Sequence, residues 1–423
     1  MKPAIQWPPE FQVRERRAHT SNFDVHKFKL SDDQHEALGR IKAWTKSDQE
    51  ESFYLAGYAG TGKTLVAAAV SDIAKKPVYC AFTGKASDVL STRTPSHIAV
   101  STIHSLAYVP RVNAQTRRLE GFDLRPFLEE GPFDLIVVDE ASMVSSKVFQ
   151  DLKTFEVPIM LVGDPAQLPP VQDEELRVED FPVSFTLEKI HRQAEGSSIL
   201  QLAEQVRTQR KWVKPKPSPG CRCISVEELP RFLRQAYDQY GPKDTVMLSY
   251  RNETRVALNE IGKQVHSEMV SLPGGSDPEF FDGVPVVALE NYSSELVNGS
   301  RGTLRAPLVH QYWVQTLVEN LGGRVSSVYA HLFGPQFDRP KTIKDFEEAH
   351  FLCPDLPSDK WGERIGQLFD FAYALTVHKA QGSSYPCVFL KLEKVQGAST
   401  EEFARWLYTG ISRAEKELFI VLG

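Results

Sequence analysis

Short, unbroken apolar runs recur along the chain at residues 53–56, 77–82, 135–138, 158–162, 245–249, 371–375, 387–391 and 418–422. Runs of this length without polar alternation suit strands buried on both faces of a parallel sheet. Helical stretches separate them. One starts with Ser31 or Asp32 as cap, one covers residues 65–70, and one lies near 401–415. Strands alternating with helices predict an α/β chain. The pattern lapses twice. Between 107 and 131, prolines, arginines and isolated aromatics mark a small insertion. From 276 to 369, short alternating strands and turns (Asn298-Gly299, Gly322-Gly323) predict a β-rich module. Residues 1–28 read as a polar, proline-dotted extension, and the proline-rich stretch 214–220 as a surface connection. There is no repeat of domain-forming period.

Composition changes this picture little. A chain of 423 residues, 41% hydrophobic and 25% charged, is an ordinary globular protein with a sizeable core. Its length suits roughly three domains. The five cysteines (Cys80, Cys221, Cys223, Cys353, Cys387) form no Cys-x-x-Cys pair. They read as reduced thiols, which argues against a disulfide framework or zinc ribbon and for a cytoplasmic setting. Arg14, Arg16 and Arg17 precede no apolar run, so a secretory signal is not expected, and no stretch suits a membrane span. The net charge of −6 does not advertise a polyanion partner, so any such partner needs a local groove.

The chemistry begins at Gly57-Tyr-Ala-Gly-Thr-Gly-Lys-Thr64, a P-loop pattern between an apolar strand and a helix. Gly57, Gly60, Thr61 and Gly62 let the backbone curl around phosphate oxygens and turn N–H groups inward. Lys63 places a point charge on the outer phosphates, and the Thr64 hydroxyl suits Mg2+. A dinucleotide fingerprint fails here, because Leu65 stands where its third glycine belongs. Asp139-Glu140 ends the strand 135–138, which delivers two carboxylates to the same pocket. Asp139 suits Mg2+, held through water, and Glu140 suits activation of the attacking water. Alternatively, Asp139 or Ser142 only caps the next helix. Gln167, in the run Gly163-Asp-Pro-Ala-Gln-Leu-Pro-Pro-Val171, is placed to sense a terminal phosphate. Arg192, in a helix-like segment, and Arg413, in the C-terminal helix, suit arginine fingers supplied by a second lobe.

The motif order Gly57–Thr64, Asp139-Glu-Ala-Ser142, Gly163–Val171, Arg192, Thr376-Val-His-Lys-Ala-Gln-Gly-Ser383 and Tyr408-Thr-Gly-Ile-Ser-Arg-Ala414 resembles superfamily 1 helicases of the RecD-like and phage Dda-like branch. The run 296–303 is similar to the opening of that branch's SH3-like module. The resemblance covers residues from about 30 to the C-terminus. It implies two RecA-like lobes: 1A over 29–106 and 132–175, and 2A over 176–275 and 370–423. A pin-like insertion 1B at 107–131 and an SH3-like insertion 2B at 276–369 complete the expected α/β architecture. The implied activity is an ATP-dependent DNA helicase that requires Mg2+, translocates 5′ to 3′ on single-stranded DNA and unwinds forked duplex. It implies a monomer in a bacterial or phage-infected cell, with a single-strand-binding protein or replisome component as partner, serving replication, recombination or repair. Two alternatives stay open: an RNA-directed helicase, and an ATPase motor subunit of a larger nuclease or recombination complex.

By resemblance, Gln34 matches the glutamine that reads adenine. Thr83, Gly84 and Lys85, then Thr102 and His104, match strand contacts of the first lobe. Thr376, His378 and Ser383 match those of the second. Two positions depart from the branch: Phe82 stands where proline is usual, and Ser249-Tyr-Arg-Asn252 replaces a more usual Thr-Asn-Lys. Tyr250 there reads as a core residue rather than an adenine stack. Tyr108, Phe122 and Phe127 are candidates for the strand-splitting contact, whereas Tyr312 and Trp313 read as packing residues.

Overall fold

The structure is a computed structural model. It describes residues 23–47, 52–112, 119–128, 132–169, 180–181, 183–189, 197–270, 280–289, 299, 301–309, 314–320, 325–332, 367–393 and 397–423. Lobe 1 is built on a parallel sheet of β1 (Phe53–Gly57), β2 (Pro77–Ala81), β3 (Ala99–Thr102), β6 (Leu135–Asp139), β7 (Ile159–Gly163) and β8 (Val183–Leu187). Their spatial order is β3-β2-β6-β7-β1-β8. Alternate residues of β1 explain its unbroken apolar run. Phe53 and Leu55 enter one core with Ile41 and Trp44 of α1 (Asp32–Trp44), while Tyr54 and Ala56 enter the core on the opposite face. Helices α2 (Lys63–Ala69), α3 (Gly84–Thr92), α4 (Ile103–Ala107) and α5 (Ser146–Lys153) complete the lobe. Within the expected insertion, β4 (Tyr108–Val112) and β5 (Leu119–Leu124) pair as an antiparallel ribbon.

Lobe 2 repeats the scheme with β9 (Cys221–Ser225), β10 (Thr245–Ser249), β16 (Ala374–Thr376), β17 (Tyr385–Lys391) and β18 (Ala414–Leu422), ordered β16-β10-β17-β18-β9 and all parallel. Its helices are α6 (Ser198–Gln209), α7 (Leu229–Tyr240), α8 (Asn252–Met269) and α9 (Thr400–Ile411). Between β10 and β16 the chain builds a closed barrel from β11 (Pro285–Ala288), β12 (Arg301–Val309), β13 (Val314–Asn320), β14 (Val325–Leu332) and β15 (Gln367–Phe371).

Three sequence expectations need correction. Strand β8 lies in the segment assigned to lobe 2, yet it pairs with β1 from Phe53↔Val183 to Gly57↔Leu187. The chain therefore leaves lobe 1 after Leu187, because a sixth strand covers the otherwise open edge of β1. Second, the apolar run 371–375 is two strands, since β15 closes the barrel and β16 belongs to the lobe 2 sheet. Helix α8 holds the break from both sides. Arg255 Nη1 donates to Asp370 Oδ2 at 2.7 Å in a buried ion pair, and Ala374 N donates to Asn259 Oδ1 at 2.8 Å. Gly262 permits this approach, since a Cβ there would stand 2.6 Å from Tyr373 Cβ. Third, α9 ends at Ile411, so Arg413 lies in the turn before β18 rather than in the helix.

Beneath the barrel, buried His266 pairs its Nδ1 with Tyr373 Oη at 2.9 Å and packs its ring on Phe281. Burial lowers its pKa to about 4. Among the described residues, four cysteines (Cys80, Cys221, Cys223, Cys387) are free thiols, and no helix is long and apolar enough to cross a membrane.

Candidate nucleotide site and strand-facing surfaces

The P-loop runs from the end of β1 into α2. A Cβ on Gly57 would meet Thr61 Oγ1 at 2.7 Å and Lys63 Cγ at 2.8 Å, so the loop closes only over glycine. Gly60 and Gly62 take left-handed φ values of 83° and 80°, which turns the loop back on itself. The carbonyl of Tyr58 is its hub. It accepts from Thr61 Oγ1 at 2.9 Å and from Lys63 Nζ at 3.1 Å. Lys63 Nζ also stands 3.9 Å from Asp164 Oδ2. Gln34 is wholly buried. Its Nε2 donates to Thr61 O at 3.0 Å, and its Oε1 accepts from Ser31 N at 3.0 Å. The residue matched to adenine reading thus ties the start of α1 to the P-loop.

Strand β6 delivers Asp139, whose Oδ1 accepts the Glu140 N–H at 2.9 Å. Burial, then the charge of Glu140, pushes the Asp139 carboxyl up to about 6, against the opposing pull of the Glu140 amide, Lys63 and Arg93. Glu140 sits at φ 53°, a left-handed conformation uncommon outside glycine and typical of strained functional positions. At the end of β7, a Cβ on Gly163 would meet Tyr54 Oη at 2.7 Å and Ala141 Cβ at 3.1 Å, so glycine lets the two carboxylate-bearing loops pack. Gln167 is 5% exposed. Its Oε1 and the Ser142 Oγ are buried without a hydrogen-bond partner. Orphaned polar atoms of this kind call for a ligand or water. A glycine cradle, one lysine, Thr64, two carboxylates and an unpaired amide together fit a triphosphate and a divalent cation.

Lobe 2 faces this pocket. Gly382, at φ 69°, packs so closely on lobe 1 that a Cβ there would lie 3.1 Å from Ala86 Cβ, 3.6 Å from Thr83 Oγ1 and 3.9 Å from Glu140 Cγ. The next residue, Ser383, gives its carbonyl to Arg413 Nη1 at 3.1 Å. Arg413 is buried, and its Nε and Nη2 donate to Thr409 O and Ser412 Oγ. It is therefore held one residue from the contact on Glu140. Arg192 lies outside the described residues.

Other contacts cross the cleft at residues that sequence reasoning did not single out. Tyr408 Oη accepts the Ala59 N–H at 2.8 Å and donates to Asp164 Oδ2 at 2.7 Å. Thr409 Oγ1 accepts from Leu168 N at 2.9 Å, and Gln381 Nε2 donates to Leu168 O at 2.8 Å. The Arg207 guanidinium lies 3.7 Å from the Tyr58 ring centroid. Tyr408, Thr409 and Gln381 all fall inside quoted motifs, but the sequence carries no sign of which partner each reaches.

The expected strand contacts occupy the loops after sheet strands. Thr83 caps α3, accepting from Ala86 N at 3.1 Å, and Gly84 begins that helix. The side chain of Lys85 lies outside the described part. Thr102 caps α4 by accepting from Ser105 N at 3.1 Å. His104 is exposed; it stacks on Tyr108 and meets Phe82 and Phe122 edge-on. Phe122 and Phe127 are exposed, 42% and 64%, whereas Tyr108 is buried. In lobe 2, Thr376 Oγ1 accepts from Lys379 N at 3.3 Å, and His378 meets the Tyr250 ring, which in turn meets Trp406. Ser383 is buried. Packing lowers the pKa of both imidazoles. Near pH 7 they offer ring faces and neutral hydrogen bonds rather than charge. Tyr312 and Trp313 lie outside the described residues.

Residues 29–213 match a family described as an AAA domain, and residues 371–421 match the UvrD-like helicase C-terminal domain. The chain is 26% identical to the ATP-dependent RecD2 DNA helicase of Deinococcus radiodurans over 86% of its own length and 46% of that protein's. It is 24% identical to the ATP-dependent DNA helicase PIF1 of Rattus norvegicus over 97% of its own length and 62% of the rat protein's. The chain thus spans less than two thirds of either relative. A structure of Bacteroides Pif1 helicase with ADP-AlF3 and single-stranded DNA is similar in fold, with a TM-score of 0.53 at 18% identity, over 93% of this chain and 92% of that one. Two parallel lobes, a P-loop cleft between them and these matches liken the chain to superfamily 1 helicases of the RecD-like and Pif1-like kind.

Proposed function

We propose that this chain is an ATP-driven DNA helicase that moves 5′ to 3′ along single-stranded DNA and opens forked duplex. One observation carries the reading. The pocket formed by Lys63, Glu140 and the unpaired Gln167 is faced by a lobe 2 turn in which Gly382 packs toward Ala86, Thr83 and Glu140 and the Ser383 carbonyl holds Arg413. Triphosphate in the P-loop draws Lys63 from the Tyr58 carbonyl. Gln167 has one amide donor for the terminal phosphate and a free acceptor for the attacking water. Glu140 takes the proton from that water, and Arg413 neutralises charge as the bond breaks. Arg192 is a second arginine in this role. Thr64 and Asp139 would hold Mg2+, which would neutralise charge on the triphosphate. Gln34 acts on the nucleotide through the P-loop it braces.

Motion follows from the division of labour. Single-stranded DNA lies across the loops that carry Thr83, Gly84, Lys85, Thr102 and His104 in lobe 1, and Thr376, His378 and Ser383 in lobe 2. Bases stack on ring faces without sequence choice, and closure and release of the cleft alternate the grip. The ribbon β4–β5 separates the strands, with exposed Phe122 at the fork. The barrel, read as the SH3-like insertion, flanks the strand channel. The chain works as a monomer beside single-strand-binding or replisome proteins.

Unwinding of forked duplexes with a 5′ or a 3′ tail, alongside ATPase stimulated by DNA or RNA of equal length, tests the proposal. Unwinding from the 5′ tail with DNA-stimulated turnover is expected. Better stimulation by RNA would move the substrate class, and strand-independent turnover would remove the motor.

A further inference from the structure

Lys63 and Tyr408 share one carboxylate. We infer that Tyr408 is a positioning residue, a hydroxyl latch through which P-loop occupancy controls lobe closure; the inference rests on the function proposed above. Asp164 is fully buried. Its Oδ2 accepts from Tyr408 Oη at 2.7 Å and faces Lys63 Nζ at 3.9 Å, while its Oδ1 is occupied by the Ala166 N–H at 3.0 Å. Tyr408 comes from α9 of lobe 2, and Lys63, Ala59 and Asp164 come from lobe 1. A single oxygen therefore serves the catalytic lysine of one lobe and a tyrosine of the other.

The same hydroxyl accepts the Ala59 N–H at 2.8 Å. Ala59 lies inside the P-loop run, among the amides that cradle phosphate. Tyr408 thus touches the loop and its counter-charge together. Its hydroxyl has one proton, committed to Asp164, and a lone pair committed to Ala59. When Lys63 turns to a triphosphate, Asp164 loses its nearest cation, and a buried carboxylate left without one is costly. The Tyr408 hydrogen bond is then its main compensation, so it tightens when nucleotide is present. Lobe 2 is held onto the P-loop most firmly in that state.

Neighbouring contacts are of a different kind. Thr409 and Gln381 grip the Leu168 backbone, and Arg207 covers the Tyr58 ring. None of these touches Lys63 or its carboxylate. They hold the lobes together whether or not nucleotide is bound.

The test compares Tyr408→Phe with Thr409→Val in the full chain, using ATP, magnesium and oligo-dT. Both remove cross-lobe hydrogen bonding, but only the first touches Asp164. The latch predicts a fall of 10-fold or more in strand-stimulated kcat for Tyr408→Phe, on the scale of losing one preorganised hydrogen bond. KM for ATP should stay within about threefold. Thr409→Val should keep kcat within about threefold. Equal losses in both variants would make Tyr408 mere interface glue and overturn the latch. So would wild-type kcat in Tyr408→Phe, or a rise in KM with unchanged kcat. If Tyr408→Phe unfolds, Asp164→Asn is the second probe: it keeps an acceptor but removes the charge, and the same kcat loss without a KM change is expected. Wild-type protein without strand-stimulated ATPase would sink the helicase reading itself, which separates that failure from failure of the latch.

Discussion

In chain order lobe 1 threads β1, β2, β3, β6 and β7, and lobe 2 threads β9, β10, β16, β17 and β18. In space both sheets lay the third strand beside the second, fourth, fifth and first. The loops after matching strands differ sharply. After β1 come five P-loop residues, with Gly60 and Gly62 left-handed, and then Lys63. After β9 come Val226, Glu227 and Glu228, with the Glu228 carboxylate folded back on the Ser225 N–H at 2.9 Å. One loop gathers donors for an anion, and the other presents two anions. After the third strands, by contrast, the chemistry is shared: Thr102-Ile-His104 in lobe 1 and Thr376-Val-His378 in lobe 2, each threonine capping a turn and each imidazole set against aromatic rings. Under the proposed function, duplicated architecture carries one nucleotide cradle and two strand stations. In that proposal the asymmetry lets one lobe hold fuel while both hold the track.

The largest effect should come from the cradle. Lys63→Ala is expected to lower ATP turnover by about 10³-fold or more, read by phosphate release. Replacing Glu227 and Glu228 by alanine at the matching place in lobe 2 should change it by no more than about twofold. A large loss in lobe 2 would erase the distinction between the two loops. Next in size is the cross-cleft arginine. Arg413→Lys keeps the charge but loses the planar fork, and kcat should drop by about 10²-fold with little change in ATP affinity.

Smaller, and aimed at the shared feature, are His104→Ala and His378→Ala. Each should weaken oligo-dT binding by about tenfold, the scale of one lost stacking platform. The double variant should show close to the product of the two. A loss confined to one histidine would mean that only one lobe uses its station. Because burial holds both imidazoles below the ordinary 6.5, they should stay neutral, and the salt sensitivity of strand binding should stay unchanged, as the pH falls from about 8 to that value.

The smallest effect concerns stability beneath the barrel. His266 is neutral in the fold down to about pH 4, whereas in the unfolded chain it takes up a proton below about 6.5. The unfolded state therefore binds more protons between these values. Stability is full above 6.5 and is lost as pH falls, by at most about 1.4 kcal/mol per pH unit. His266→Gln should flatten that slope in urea titrations; an unchanged slope would place the sensitivity elsewhere.

Local chemistry was readable where one residue type has one job. The apolar runs named most sheet strands because a strand buried on both faces must be apolar throughout. The P-loop was readable because only glycine fits at Gly57, Gly60 and Gly62, and Asp139-Glu140 because a buried strand end followed by two acids has few other uses. Run 371–375 was misread as one strand because periodicity cannot see a chain crossing from barrel to sheet at Tyr373. Strand β8 was assigned to the wrong lobe for a related reason, since an apolar strand does not say which edge it joins. Arg413 falls beyond the helix expected to carry it, because α9 ends at Ile411 and β18 starts at Ala414.

By itself, then, the sequence determined the two-lobe α/β plan and the P-loop pattern with the residue types around it. Those depend on side-chain size, charge and backbone freedom, which each residue carries wherever it stands. Only the tertiary structure decided that Tyr408 and Lys63 meet at one buried carboxylate, that Gly382 rests on Glu140, and that Gln34 supports the P-loop backbone. The first two contacts join residues hundreds of positions apart, and the third joins residues 27 apart in one lobe. Their energies come from desolvation and shared partners, which exist only after the chain has folded and, for the first two, after the lobes have come together.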